Sequence, residues 1–188
     1  MPDENRRLNE KDTMKVKDLT VFDEKDPEQH VIKLLYGLGR VIGCRGGEYT
    51  NFLVSQILHG DFTEDHDWHG YSWFAINGMT DKTHKLSVHN PHVRKTKSIL
   101  RFPILNDGER TNDVGGSIDR YLKKQGQGQD RFFCHPMTTE QKERYLKRGG
   151  LLGVEFDGTK PMSISHIKKL FKKGAEMLGL EVSDIILL

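Results

Sequence analysis

A six-residue junction, Gly43-Cys44-Arg45-Gly46-Gly47-Glu48, constrains this chain more than any other stretch. Before it, apolar residues fall at Val31, Leu34, Leu35, Leu38, Val41 and Ile42, the period of a helix. After it, Tyr49, Phe52, Leu53, Val54, Ile57 and Leu58 predict a second helix over about 48–58. The glycines between them each weaken helicity by about 1 kcal/mol relative to alanine, so the helices should meet at a turn that exposes Arg45. Glu48 follows three residues later, close to one helical turn, and can brace the guanidinium. A braced guanidinium is a planar, permanent cation that matches a pair of phosphate oxygens. The same spacing also suits an Arg45–Glu48 pair that only ties two helices together, a common arrangement worth little.

Composition bounds what such a junction can serve. The chain has 188 residues, enough for one domain with a tail. Its 35% hydrophobic residues can build a core, and its 30% charged residues imply a well-solvated surface. A net charge of +2 excludes a globally basic field, so any nucleic-acid binding rests on local patches. The two cysteines, Cys44 and Cys134, lack metal or disulfide-framework spacing, which fits a reducing, intracellular setting. The sequence has neither a membrane-length apolar run nor a secretory h-region at its start, so no membrane partner is expected.

Residues 1–27 read as a flexible polar arm or linker, with Val16, Leu19, Val21 and Phe22 as one short docking contact. Asp26-Pro27-Glu28 then starts the first helix: Asp26 caps, Pro27 suits the first turn and Glu28 favours its positive end. Residues 59–70 read as a loop rich in His and Asp. His66, His69, Asp61, Asp65 and Asp67 have metal-ligand chemistry, but their spacing is loose and favours a solvated loop. His89 and His92 read the same way. Strands are expected at Tyr71–Ile76, Lys85–Val88 and Ser98–Leu105, with Asn77-Gly78 as a turn. A helix follows over 114–122, with Ile118, Tyr121 and Leu122 facing inward, and then a polar loop and a short buried segment at 131–134. Thr138-x-x-Gln141 has the capping-box pattern. The last helix is capped by Ser163, carries Ile164, Ile167, Leu170, Phe171 and Leu178 inward, and ends at Gly179. Lys168, Lys169, Lys172 and Lys173 form its opposite face, which is either a DNA-phosphate contact or an ordinary solvated surface.

Three blocks carry a family resemblance. "LLYGLGRVIGCRGGEYTNFLVSQILHGDF" resembles the first catalytic box of tyrosine recombinases, the phage-integrase-like enzymes. In them Gly-x-Arg-x-x-Glu joins two helices, and an acidic residue then enters a small sheet. "RKTKSILRFPIL" resembles the Lys-Thr turn and aliphatic-Pro-aliphatic strand of that sheet. The Arg-Gly-Gly variant and "GLLGVEFDGTKPMSISHIKKLFKKGAEMLGL" are most similar to the crypton-type eukaryotic branch. The resemblance covers roughly residues 28–188. It implies a mainly helical α+β catalytic core with a three-stranded antiparallel sheet and no cofactor or metal. It also implies DNA as partner, oligomers of the parent enzyme on DNA, and a nuclear location in a eukaryote.

The resemblance gives Arg45 the role of phosphate clamp and Glu48 that of its buttress. Lys95 becomes the proton donor to the leaving 5′ oxygen, with Lys97 as second choice and Lys82 or Lys85 if the register differs. Arg94, Lys97 and the four lysines of the last helix become DNA contacts. The family's His-x-x-Arg box and later nucleophilic tyrosine are missing. His166-Ile167-Lys168-Lys169 is the nearest diverged candidate, but its flanks match the helix that precedes the box, and no tyrosine follows Tyr145. The expectation is a recombinase core cut short at its C-terminus, which binds phosphate without cleaving DNA. The alternatives are a non-catalytic DNA or chromatin interaction domain on the same fold, and an unrelated helical domain with a His/Asp metal loop.

Overall fold

The computed structural model describes residues 18–42, 48–76, 101–105 and 112–180. Within them the chain forms four α-helices and two small antiparallel sheets, an α+β arrangement. Helix α1 spans Pro27–Ile42 and is the centre of the core. Asp26 starts it as expected: its Oδ1 accepts from the backbone N–H of Glu28 at 2.8 Å and of Gln29 at 3.3 Å. Every residue from His30 to Leu38 is buried, so neighbours cover this helix on all sides. A helix so enclosed is normally apolar throughout. His30 and Lys33 break that pattern and must find partners.

The predicted second helix does not form. Residues 48–58 make two 3-10 turns, Tyr49–Asn51 and Val54–Gln56, and then enter strand β1, Ile57–Asp61. Phe52 and Leu53 between the turns have extended backbones. The physical reason is tertiary. Tyr49 and Phe52 are drawn into the core, and the backbone of 57–61 pairs with strand β2, Ser72–Ile76. The register runs from Ile57 opposite Ile76 to Asp61 opposite Ser72, where the Ser72 hydroxyl donates to Asp61 Oδ1 at 2.6 Å. Cross-strand pairing and burial override an apolar spacing that also satisfies a helix.

Strand β3, Arg101–Pro103, completes the sheet in the order β1-β2-β3, with Phe74 opposite Phe102. It is shorter than the strand expected over 98–105 among the described residues; the Lys85–Val88 strand and Asn77-Gly78 turn lie outside them. Helix α2, Val114–Lys123, is capped by Asp113, which accepts from Gly116 N–H at 2.9 Å. A side chain at Gly115 would collide with Pro103 and Phe102, so the glycine lets this helix close onto β3. Ile118 and Tyr121 are fully buried, as their spacing predicts, while Leu122 is half-buried.

The chain then crosses Phe132 and Phe133, both buried, into β4, Cys134–Pro136. Cys134 is a free, buried thiol whose pKa is raised by burial. Helix α3, Thr139–Lys147, opens on the predicted capping box and buries none of its residues. Strand β5, Phe156–Pro161, returns to pair with β4.

Helix α4, Ile164–Met177, is capped by Ser163 and followed by Gly179 at φ +65°. It lies across α1, where a side chain at Gly174 would overlap Tyr36 and reach within 2.6 Å of Ile32 Cγ2. The Tyr36 hydroxyl donates to the Phe171 carbonyl at 2.7 Å and fastens the crossing. Ile164, expected inward, is 46% exposed; it is the first residue of the helix.

Part of the presumed arm belongs to the core. Leu19 and Phe22 are 1% and 0% exposed, and Leu19 N–H donates to Asn112 Oδ1 at 2.6 Å. Residues 18–26 therefore pack as part of the domain rather than as linker. Among the described residues, no helix is long and apolar enough to cross a membrane.

Candidate nucleic-acid interface

Arg45 and the glycines around it lie outside the described residues, but both ends of their segment are anchored. The upstream end is α1. The downstream end is Glu48, half-buried, leading into Tyr49, whose hydroxyl donates to the Leu35 carbonyl at 3.2 Å. Arg131 reinforces this end by donating to the Thr50 carbonyl at 3.0 Å. Phe132 N–H donates to the Phe52 carbonyl at 2.9 Å. The five residues 43–47 thus join two points fixed in the same core.

Lys82, Lys85, His89, His92, Arg94, Lys95 and Lys97 also lie outside the described residues. They belong to the segment that leaves β2 and returns as β3, and these strands are paired neighbours. On the sheet itself, the Arg101 guanidinium lies over the Trp73 ring, 4.8 Å from its centre.

The α4 lysines divide into two groups. Lys168, Lys169 and Lys172 are exposed and form no ion pair among the described residues. Lys173 pairs with Glu28 of α1, which raises its pKa, so it fastens two helices. His166 sits near the start of the same helix, with its ring centre 4.4 Å from that of His135 on β4.

In the His/Asp loop, no three His, Cys, Asp or Glu side chains converge among the described residues. Asp61 is engaged by Ser72, and His66 stacks on Phe62 with ring centres 4.3 Å apart.

One charged assembly has no counterpart among the sequence expectations. Glu24, 3% exposed, lies beneath α1 and α2. Arg120 grips its carboxylate through Nε at 2.5 Å and Nη2 at 3.0 Å. The Lys33 ammonium lies 2.7 Å from Glu24 Oε1, too oblique for a well-aligned hydrogen bond, so this contact is an ion pair. His30 Nε2 is 3.0 Å from the Ser117 carbonyl and 3.7 Å from Glu24. Lys124 donates to the Glu24 carbonyl at 2.8 Å. Burial alone would raise the Glu24 pKa, but Arg120 and Lys33 hold it down at about 2. Burial outweighs Glu24 at His30 and lowers its pKa to about 4, so the imidazole is neutral.

A hollow of about 210 Å³ opens beside this cluster, lined by Glu24, Lys25, Arg120, Lys123 and Lys124. Arg120, Lys123 and Lys124 are already engaged there by Glu24, Asp119 and Glu155. The cluster is therefore a structural lock rather than a ligand cradle. One signal in the sequence points to it: Lys33 lies inside the apolar run Val31–Leu38, where a buried counter-charge is required. No known protein family, curated protein or solved structure matches this chain.

Proposed function

We propose that the chain is a tyrosine-recombinase-like core that binds the DNA backbone. The observation that carries this reading is the order of parts. A buried helix leads to the Arg45 segment, which is anchored at both ends. A three-stranded antiparallel sheet follows, and the segment containing Lys95 joins its second and third strands. Arg45 holds one non-bridging phosphate edge, and Glu48 orients it. Lys95 approaches the same phosphate and neutralises charge as a flexible ammonium. Lys168, Lys169 and Lys172 add sequence-independent contacts along the backbone. In the complete reaction a tyrosine attacks phosphorus, the bond to the 5′ oxygen breaks and that oxygen leaves as a hydroxyl, so a 3′-phosphotyrosine forms without net loss of an ester bond. Within residues 28–188 the part these residues take in that reaction is to hold the phosphate and neutralise its charge.

A second reading is a non-catalytic DNA or chromatin interaction domain on the same scaffold, which would use the same cations on the DNA backbone. Fluorescence anisotropy with a labelled duplex tests what both share. Binding should tolerate sequence changes and fall steeply as salt rises, and Arg45→Ala with Lys95→Ala should weaken it at least tenfold. Salt-independent binding, or a double variant that binds normally, would remove the proposal. A nicked suicide substrate should yield no denaturant-stable adduct with this chain; an adduct would show that a nucleophile is present.

A further inference from the structure

His135 and His166 are far apart in sequence but meet across the surface where β4 faces the start of α4, with ring centres 4.4 Å apart and planes inclined by 58°. Both are half-buried, and neither ring forms a hydrogen bond among the described residues. Two half-covered imidazoles without polar partners leave lone pairs that water or a metal must satisfy. Two imidazoles on one metal at about 2.0–2.1 Å, roughly 90–110° apart, would place their ring centres roughly 4.5–5 Å from each other. The observed separation is close to that arrangement.

A neutral imidazole offers one ring nitrogen lone pair to a metal, so each ring can supply one ligand. The surrounding charges balance: Asp157 and Lys160 of β5 face His135, while Glu28 of α1 and Lys169 of α4 face His166. The backbone at this point is also well defined, because Ser163 caps α4 through His166 N–H at 3.2 Å, and Met162 N–H donates to the Phe133 carbonyl at 2.9 Å.

We propose that His135 and His166 form a two-imidazole site for a divalent transition-metal ion of the zinc, nickel or copper class. No third protein ligand joins them among the described residues, so water completes the coordination, and the site is weaker than a closed structural zinc site. The ion would do no chemistry. It would clasp β4 to the start of the lysine-bearing helix and hold that helix in place. Such a site stands apart from the recombinase reading and survives or fails without it.

The test is calorimetric titration of the full chain with zinc chloride and with nickel chloride in a non-chelating buffer at neutral pH. The expected result is one site per chain that weakens on acidification, as protons compete for the same nitrogens. His135→Ala and His166→Ala should each reduce affinity at least tenfold, whereas a His66→Ala/His69→Ala variant should match the parent. Copper broadening of imidazole NMR signals in the unmodified chain gives a second readout that does not depend on any variant folding; His135 and His166 should fade first. No metal uptake, uptake that follows His66 and His69, or uptake indifferent to both single variants would each overturn the proposal.

Discussion

Lys33 on α1 and Lys169 on α4 belong to helices that pack against each other, yet they do opposite work. Lys33 is 1% exposed and lies against a carboxylate that Arg120 also holds. Lys169 points into solvent, as do Lys168 and Lys172. A buried ammonium must have a partner, and its pairing makes it part of the fold. An exposed ammonium costs little to leave unpaired and stays free to meet an external anion. The basic character of this chain is thus split between cations engaged inside and cations kept outside. Lys173, on the same helix as Lys169 but paired with Glu28, marks the boundary.

The largest expected effect tests the inner group. Glu24→Ala leaves Lys33 and Arg120 facing each other without a counter-charge and should cost about 3–5 kcal/mol, measured by urea denaturation. Adding Lys33→Met and Arg120→Leu should recover much of that loss, because removing a whole buried cluster is far less costly than breaking it. Full stability in Glu24→Ala alone would erase the distinction between the two groups.

The next effect is a pH dependence. His30 has a folded pKa of about 4 against an ordinary 6.5, with burial as the main cause. Between those values the unfolded chain takes up a proton that the folded chain refuses. The associated stability is complete above pH 6.5 and is lost as pH falls toward 4, by up to about 3 kcal/mol. Glu24 adds a further loss between pH 4.5 and about 2, as its carboxylate is protonated. Denaturation curves from pH 7 to pH 4 should fall accordingly. His30→Gln should flatten most of that slope, leaving the smaller part owed to His135 and His166, whose pKa values are also lowered.

The smallest effect on stability belongs to the outer group. Replacing Lys168, Lys169 and Lys172 by glutamine should change stability by no more than about 0.5 kcal/mol. The same variant should bind duplex DNA more weakly, with a salt slope shallower by up to about 0.9 for each phosphate left without its lysine. A large drop in stability would place these lysines with Lys33.

Elements whose signals lie within a few residues are legible in the sequence. Asp26, Thr138 and Ser163 cap their helices through backbone groups two or three residues away, and those three starts agree with the capping patterns. Strand β1 escapes such a reading because its signal is not local. Tyr49, Phe52 and Ile57 fit a helical period as well as they fit a turn that buries two aromatic rings before a strand. Arg45 stands out by its glycine-rich setting and Glu48, and Lys95 only through the family resemblance; both lie in segments outside the described residues.

Where three helices begin and which face of α4 is apolar can both be read from the amino-acid order. Those are consequences of backbone hydrogen bonding and of the helical repeat, both short-range. Long-range packing, in contrast, makes 57–61 a strand, brings Lys33 and Arg120 onto Glu24, and sets His135 against His166. Each of those depends on a partner distant in the chain, brought close because burying α1 and its neighbours outweighs local preference.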